Sequence, residues 1–260
     1  MQYPTIDPVL LNLGVVQIHW YAMMYIGGIL AGGLYTYRHF NRWLGWQCAQ
    51  FSDLVTAIVL GVFLGGRLGY VLFYDLAYYL AHPLKVLAVW QGGMSFHGGL
   101  MGVGVAVWFF CLRRNLMVWP VLDLVAIGST FGLFFGRIGN FINGELYGRV
   151  SSVPWAMVFP SGGPLARHPS QLYQAVGEGL VLFGILHLLL QSRRLKSGQL
   201  VAVFIGLYGV IRFGVEFYRE PDHQLGLLWL NLSLGQWLCM GMMGVGLWTF
   251  FKRQVGDLNR

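Results

Sequence analysis

Four short stretches hold most of the residues able to do chemistry. Residues 136–149 set Arg137, Asn140, Asn143, Glu145 and Arg149 among four glycines, one of them Gly148. Arginine is a fixed cation with a forked set of donors that suits a phosphate or a carboxylate. Asparagine can donate to a phosphate or ester oxygen. The competing reading is a re-entrant loop whose polar groups satisfy one another and the exposed backbone. Tyr208, Arg212 and Glu216 recur at i, i+4 and i+8 and share a helix face. They can form a self-neutralising pair, touch a substrate, or do both. His97 stands between Gly92-Gly93 and Gly98-Gly99, where small residues leave room for a ligand or another backbone. It serves either as packing or as a general base that titrates near neutral pH. Arg167-His168-Pro169-Ser170 opens a helix, with Ser170 read as its N-cap. Tyr21, in His19-Trp20-Tyr21, belongs to an interfacial aromatic belt or hydrogen-bonds to a lipid headgroup.

The elements that must position these residues are membrane helices. Of the 260 residues 56% are hydrophobic and only 10% charged, against roughly 25% charged in soluble domains. A span needs roughly 20 mostly apolar residues. Seven runs qualify, at about 18–37, 54–74, 94–112, 118–135, 171–190, 199–217 and 228–251. The expected fold is therefore an all-α, polytopic membrane bundle of about seven helices, a single domain with one long connection at about 136–170. The net charge of +7 does not indicate nucleic acid, because the basic residues occur in scattered pairs without a basic, aromatic-interleaved stripe. Membrane lipid is the expected partner. The three cysteines form no CxxC pair, so neither a zinc site nor a disulfide framework is read.

Ten of the 17 Lys and Arg residues fall in one set of connections and the tail, four in the other. The positive-inside rule then puts the N-terminus outside and the C-terminus in the cytoplasm. On that topology Arg67, His97, Arg137, Glu145, Glu178, Arg212 and Glu216 all lie toward the outer face, followed by Arg219, Glu220 and Asp222. Asp123 is the exception, near the inner end of its helix. Buried charges inside a membrane are functional candidates by default.

These motifs resemble a known family. GRIGNFINGELYGR (136–149), GGMSFHGGLMG (92–102), RHPSQLY (167–173) and YGVIRFGVEFYREPD (208–222) are similar to the signatures of prolipoprotein diacylglyceryl transferases. The similarity runs from the HWY at the outer end of the first helix to the last helix. One position departs: members often carry an acidic residue after HPSQLY, and here it is Gln174, so no acid role is assigned there. The resemblance implies a reaction at the periplasmic side of the bacterial inner membrane. The diacylglyceryl group of phosphatidylglycerol passes to the thiol of a lipobox cysteine in the signal peptide of a preprolipoprotein, and glycerol 1-phosphate leaves. No metal or other cofactor is expected. Arg137 and Arg212 are expected to hold the phosphate, His97 to help deprotonate the thiol, and Glu145 and Glu216 to orient the arginines or bind the headgroup. Tyr21, Arg67, Asn140, Asn143, Gly148 and Tyr208 are expected around the lipid. Cys48 and Cys111 read as cytoplasmic and Cys239 as intramembrane, so the nucleophilic thiol must come from the substrate. A transporter or flippase for an anionic lipid or solute would also use intramembrane arginines. It predicts inverted repeats and a polar path to both faces, and neither is seen in the sequence.

Overall fold

The computed structural model describes residues 1–255 apart from 5, 15–16, 74–75, 89–91 and 221–228; within helices it leaves the side chains of 43, 44, 96, 97 and 255 undescribed. A two-stranded antiparallel hairpin comes first, β1 (Val9–Asn12) with β2 (Gln17–His19). Long helices follow: α1 (Trp20–Leu44), α2 (Cys48–Phe73), the short α3 (Leu76–Ala81), α4 (Phe96–Arg113) and α5 (Val118–Ile142). One continuous helical stretch then runs over Ser170–Ser192. It is built from α6 (Ser170–Gln174), a wider π-helical turn over Ala175–Val181, and α7 (Leu182–Ser192). Finally come α8 (Gln199–Glu216) and α9 (Leu234–Val255).

Among the described residues five helical stretches are long and apolar enough to cross a membrane: Cys48–Phe73, Val118–Ile142, Ser170–Ser192, Gln199–Glu216 and Leu234–Gln254. The chain is a multi-pass helical membrane protein. Each of the seven expected runs coincides with a helix. The first, α1, is long enough but diluted by tyrosine and glycine, and the apolar part of α4, Gly98–Arg113, is short.

The chain divides into two compact units, one of Met1–Thr36 with Asp123–Arg260, the other Tyr37–Leu122. In the larger unit, Ala126 and Ile127 of α5 pack with Leu182 and Leu186 of α7 and Leu200, Phe204 and Tyr208 of α8. Lipid tails are as apolar as leucine, so close backbone approach replaces the hydrophobic effect as the main helix-to-helix attraction. A Cβ at Gly209 of α8 would stand 2.9 Å from Cys239 O of α9, which is why the two helices can meet there. In the smaller unit α2 and α4 pack in the same manner: a Cβ at Gly69 would lie 2.7 Å from Gly98 Cα. The room that glycine leaves beside His97 is therefore filled, on the Gly98 side, by a neighbouring helix.

Asp123 also finds its purpose here. Its carboxylate accepts from Gly198 N (2.7 Å) and Val201 N (2.8 Å), capping the start of α8 from another helix. Those N–H groups have no partner within their own helix. Asp123→Ala should lower the melting temperature of the detergent-solubilised protein by the equivalent of about 2–4 kcal/mol, since two buried donors lose their acceptor. An unchanged transition would show that the cap contributes nothing.

Candidate functional site

The sequence pattern ends the fourth span at Phe135, with a long connection at about 136–170. The helix instead continues two turns, to Ile142. The glycines and polar side chains that looked like loop are satisfied by tertiary partners. A Cβ at Gly139 would come within 2.9 Å of the Tyr21 ring, so α1 and α5 approach closely there. The Tyr3 hydroxyl donates into the carbonyls of Phe141 (2.6 Å) and Ile142 (2.7 Å), closing the end of α5. On these last turns Arg137 Nη2 lies 3.6 Å from Glu178 Oε2, and Arg137 Nη1 reaches Asn140 Oδ1 at 3.5 Å. Asn140 Nδ2 donates to Glu145 Oε1 at 2.9 Å, and Asn143 Nδ2 to the same oxygen at 3.3 Å. The Tyr21 hydroxyl interacts with both Tyr25 and Asn140. Arg137, Asn140, Asn143, Glu145 and Tyr21 thus form one connected group.

Glu178 is fully buried on the π-helical turn. Such turns are rare and occur frequently at functional sites. A Cβ at Gly177 would stand 2.6 Å from Ile211 of α8, and one at Gly179 2.6 Å from Phe134 of α5. The turn is wedged between the two helices, and its carboxylate lies between their arginines. Arg212 Nη1 is 4.0 Å from Glu178 Oε1. Arg212 Nη2 is 2.9 Å from Glu216 Oε2, close enough for an ion pair but not aligned as a hydrogen bond. Arg219 Nη1 is 3.8 Å from that same oxygen, while Glu216 Oε1 accepts from Ser233 Oγ at 3.0 Å. Tyr208 is buried two turns before Glu216 on the same face. Several atoms buried here have no hydrogen-bond partner among the described residues: Arg212 Nη1, both Glu178 oxygens and both amide atoms of Gln174. Buried polar groups are usually satisfied, which makes these atoms candidates for contact with a bound molecule.

The connection from Asn143 to Pro169 is tied to itself and to the residues after α8 by backbone bonds. Gly148 N donates to His168 O (2.8 Å) and Arg149 N to Tyr218 O (2.9 Å). A Cβ at Gly148 would lie 2.8 Å from His168 Cβ, so only glycine lets these segments close up. Gly148 therefore lets the segments around His168 and Tyr218 meet. Arg149 donates to Arg219 O, and Arg167 pairs with Glu220 at 2.8 Å. Ser170 is not the N-cap expected of it. Pro169 takes that position, and the Ser170 hydroxyl donates to Leu146 O instead. His168 bonds to the Tyr173 hydroxyl at 3.0 Å, and burial pushes its pKa below the usual histidine value.

Two expected site residues lie in the smaller unit. The side chain of His97 and all of Asp222 are outside the described residues. Arg67 is buried, and every one of its donors meets a backbone carbonyl of its own unit. Nε donates to Val86 O (2.7 Å), Nη1 to Gly92 O (2.6 Å) and Gly93 O (3.1 Å), and Nη2 to Lys85 O (2.6 Å) and Ala88 O (3.3 Å). That uses all five N–H groups of a guanidinium. Arg67 holds the segment ahead of α4, with its donors engaged by backbone carbonyls. Among the described residues no three of His, Cys, Asp or Glu gather as a metal site would require.

The family model for prolipoprotein diacylglyceryl transferase matches residues 8–252. The chain belongs to this family. Among its relatives in the family is the phosphatidylglycerol–prolipoprotein diacylglyceryl transferase of Nitratidesulfovibrio vulgaris (strain DSM 19637 / Miyazaki F), 50% identical over 98% of this chain and 96% of that protein. The protein of the same name from Pseudomonas paraeruginosa is 51% identical over 95% of this chain and 93% of its own length. The one from Wolbachia pipientis subsp. Culex pipiens is 48% identical over 98% and 96%.

Glu178 is among the buried charges expected toward the outer face but is given no role in the sequence, and Gln171 and Tyr3 are not singled out there at all. Glu178 was visible as an intramembrane carboxylate, but its partners are not adjacent in sequence. Tyr3 gave no signal, since its contacts lie about 138 residues away. Arg67→Lys offers three donors in place of five. It should leave the segment 83–88 open to limited proteolysis while the described helices resist. Equal resistance in both proteins would contradict the role assigned to Arg67.

Proposed function

We propose that this chain is a phosphatidylglycerol–prolipoprotein diacylglyceryl transferase and that its partly buried arginine cluster holds the lipid phosphate. The observation that carries the assignment of residues is the meeting of Arg137 and Arg212, from separate helices, at one buried carboxylate. The enzyme moves the diacylglyceryl group of phosphatidylglycerol to the lipobox cysteine of a preprolipoprotein. The cysteine sulfur attacks the glyceryl carbon that bears the phosphate. A carbon–sulfur bond forms, the carbon–oxygen bond breaks, and its electron pair stays on the phosphate oxygen. Glycerol 1-phosphate leaves, and the thiol proton passes to a base.

Arg137 and Arg212 meet the charge that grows on the leaving oxygen. Glu216 holds Arg212, and Glu145 holds Asn140 and Asn143 beside Arg137. Tyr21 and Tyr208 flank these groups on α1 and α8, and Gly148 lets the cap close above them. His97 is the proposed base for the thiol. The chain acts as a single integral-membrane domain of seven spans, α1 and α4 included, with the N-terminus outside and the C-terminus in the cytoplasm. The site then faces the periplasmic side of the inner membrane, where exported precursors arrive. The alternation of basic residues between connections supports that orientation.

Removing one preorganised donor from developing negative charge lowers rates by about 10²–10³. Arg137→Ala and Arg212→Ala should each lose at least that much transfer to a lipobox peptide in reconstituted membranes. Near-normal transfer in both would refute the phosphate clamp. His97→Gln should lose activity at neutral pH; if it loses nothing, the base is a water or the substrate itself.

A further inference from the structure

The cluster's charge is set by a residue that makes no hydrogen bond. Glu178 is fully buried, its ion-pair distances of 3.6 and 4.0 Å are long, and neither oxygen has a hydrogen-bond partner among the described residues. A carboxylate that merely tied two arginines together would dock on them at about 2.7–2.9 Å. The Gly177 and Gly179 contacts instead hold it between α5 and α8 at a distance from both. Two guanidiniums within 4.0 Å favour its charged form, so its contribution here is taken as one negative charge between them.

That charge fixes the balance. Among the described residues Arg137, Arg212 and Arg219 face Glu178 and Glu216, leaving one net positive charge. The cap's Arg149 and Arg167 with Glu145 and Glu220 leave that sum unchanged. The substrate phosphodiester carries one negative charge, which the cluster neutralises. When the carbon–oxygen bond breaks, the electron pair stays on phosphate and the headgroup becomes a phosphomonoester with a second charge. We propose that Glu178 tunes the site to a phosphodiester monoanion and against a phosphomonoester dianion, so that the spent headgroup is released. The proposal rests on the phosphate reading given above. Glu178 is on this account a positioning residue that acts through the arginines. Without it the cluster would carry two positive charges and match the product.

The test is inhibition of transfer from phosphatidylglycerol to a lipobox peptide at pH 8, where a phosphomonoester with a second pKa of about 6 is a dianion. The competitors are glycerophosphoglycerol, the deacylated diester, and glycerol 1-phosphate. The wild type should be inhibited by the diester at concentrations at least about tenfold lower than by the monoester, given the strength of one charge in a buried site. Glu178→Gln should shift that ratio toward the monoester by about tenfold or more, and Glu178→Asp should restore the wild-type ratio. If the Gln variant does not fold, the wild-type ratio alone decides. A monoester as potent as the diester, a diester without effect, or equal ratios in Gln and Asp variants would overturn the proposal. If the wild type transfers nothing from phosphatidylglycerol, it is the assigned function that fails.

Discussion

One constraint governs the larger unit: a carboxylate buried among membrane helices must sit beside positive charge. Moving an ion out of water costs several kcal/mol even after relaxation, and removing one partner of a buried pair costs roughly 3–5 kcal/mol. Glu178 therefore requires Arg137 and Arg212 near it, and they require it. Because the three come from α5, the π-helical turn and α8, their pairing fixes how those elements meet. The wide turn at Ala175–Val181 and the glycines that flank Glu178 are the local means of bringing the carboxylate there. The extension of α5 to Ile142 follows as well, since Arg137 reaches Glu178 from a helical position.

Above this centre the polar groups divide by partner. Asn140, Asn143 and Glu145 bond to one another, and Gln171 donates to Glu145 O at 2.5 Å, joining the start of α6 to the end of α5. Gly148, His168 and Tyr218 bring their backbones together in a cap. Arg67 shows how different an arginine becomes when carbonyls take all its donors. It organises chain in the smaller unit, and its burial in a span marked it in sequence as a ligand for the same reason that Arg137 was marked. Charge type alone cannot separate a structural guanidinium from one that waits for a substrate. The separating property is the set of acceptors, which is a tertiary fact.

The spans were legible because lipid demands long apolar runs, and α8 was legible in detail: Tyr208, Arg212 and Glu216 do share a face. The end of α5 was not. Gly136-Arg137-Ile138-Gly139-Asn140 reads as loop because glycine and polar residues weaken a helix, and what compensates is Tyr21, Glu178 and Tyr3, all remote in sequence. The hairpin Val9–Asn12 with Gln17–His19 escaped notice because its strands are too short to give a pattern. Ser170 illustrates a local rule overridden, its hydroxyl drawn to Leu146 O. The glycines around His97 left two readings open, a ligand or a backbone, and Gly98 against Gly69 resolves its own case as backbone.

The donors left over at the centre, Arg212 Nη1 first among them, are where the lipid phosphate is expected. A structure of the membrane-embedded enzyme with phosphatidylglycerol bound tests this most directly. The phosphate oxygens should lie within hydrogen-bond distance of both Arg137 and Arg212, with Glu178 behind the arginines and out of contact with the lipid. A phosphate bound elsewhere, with both arginines still facing only their glutamates, would contradict it.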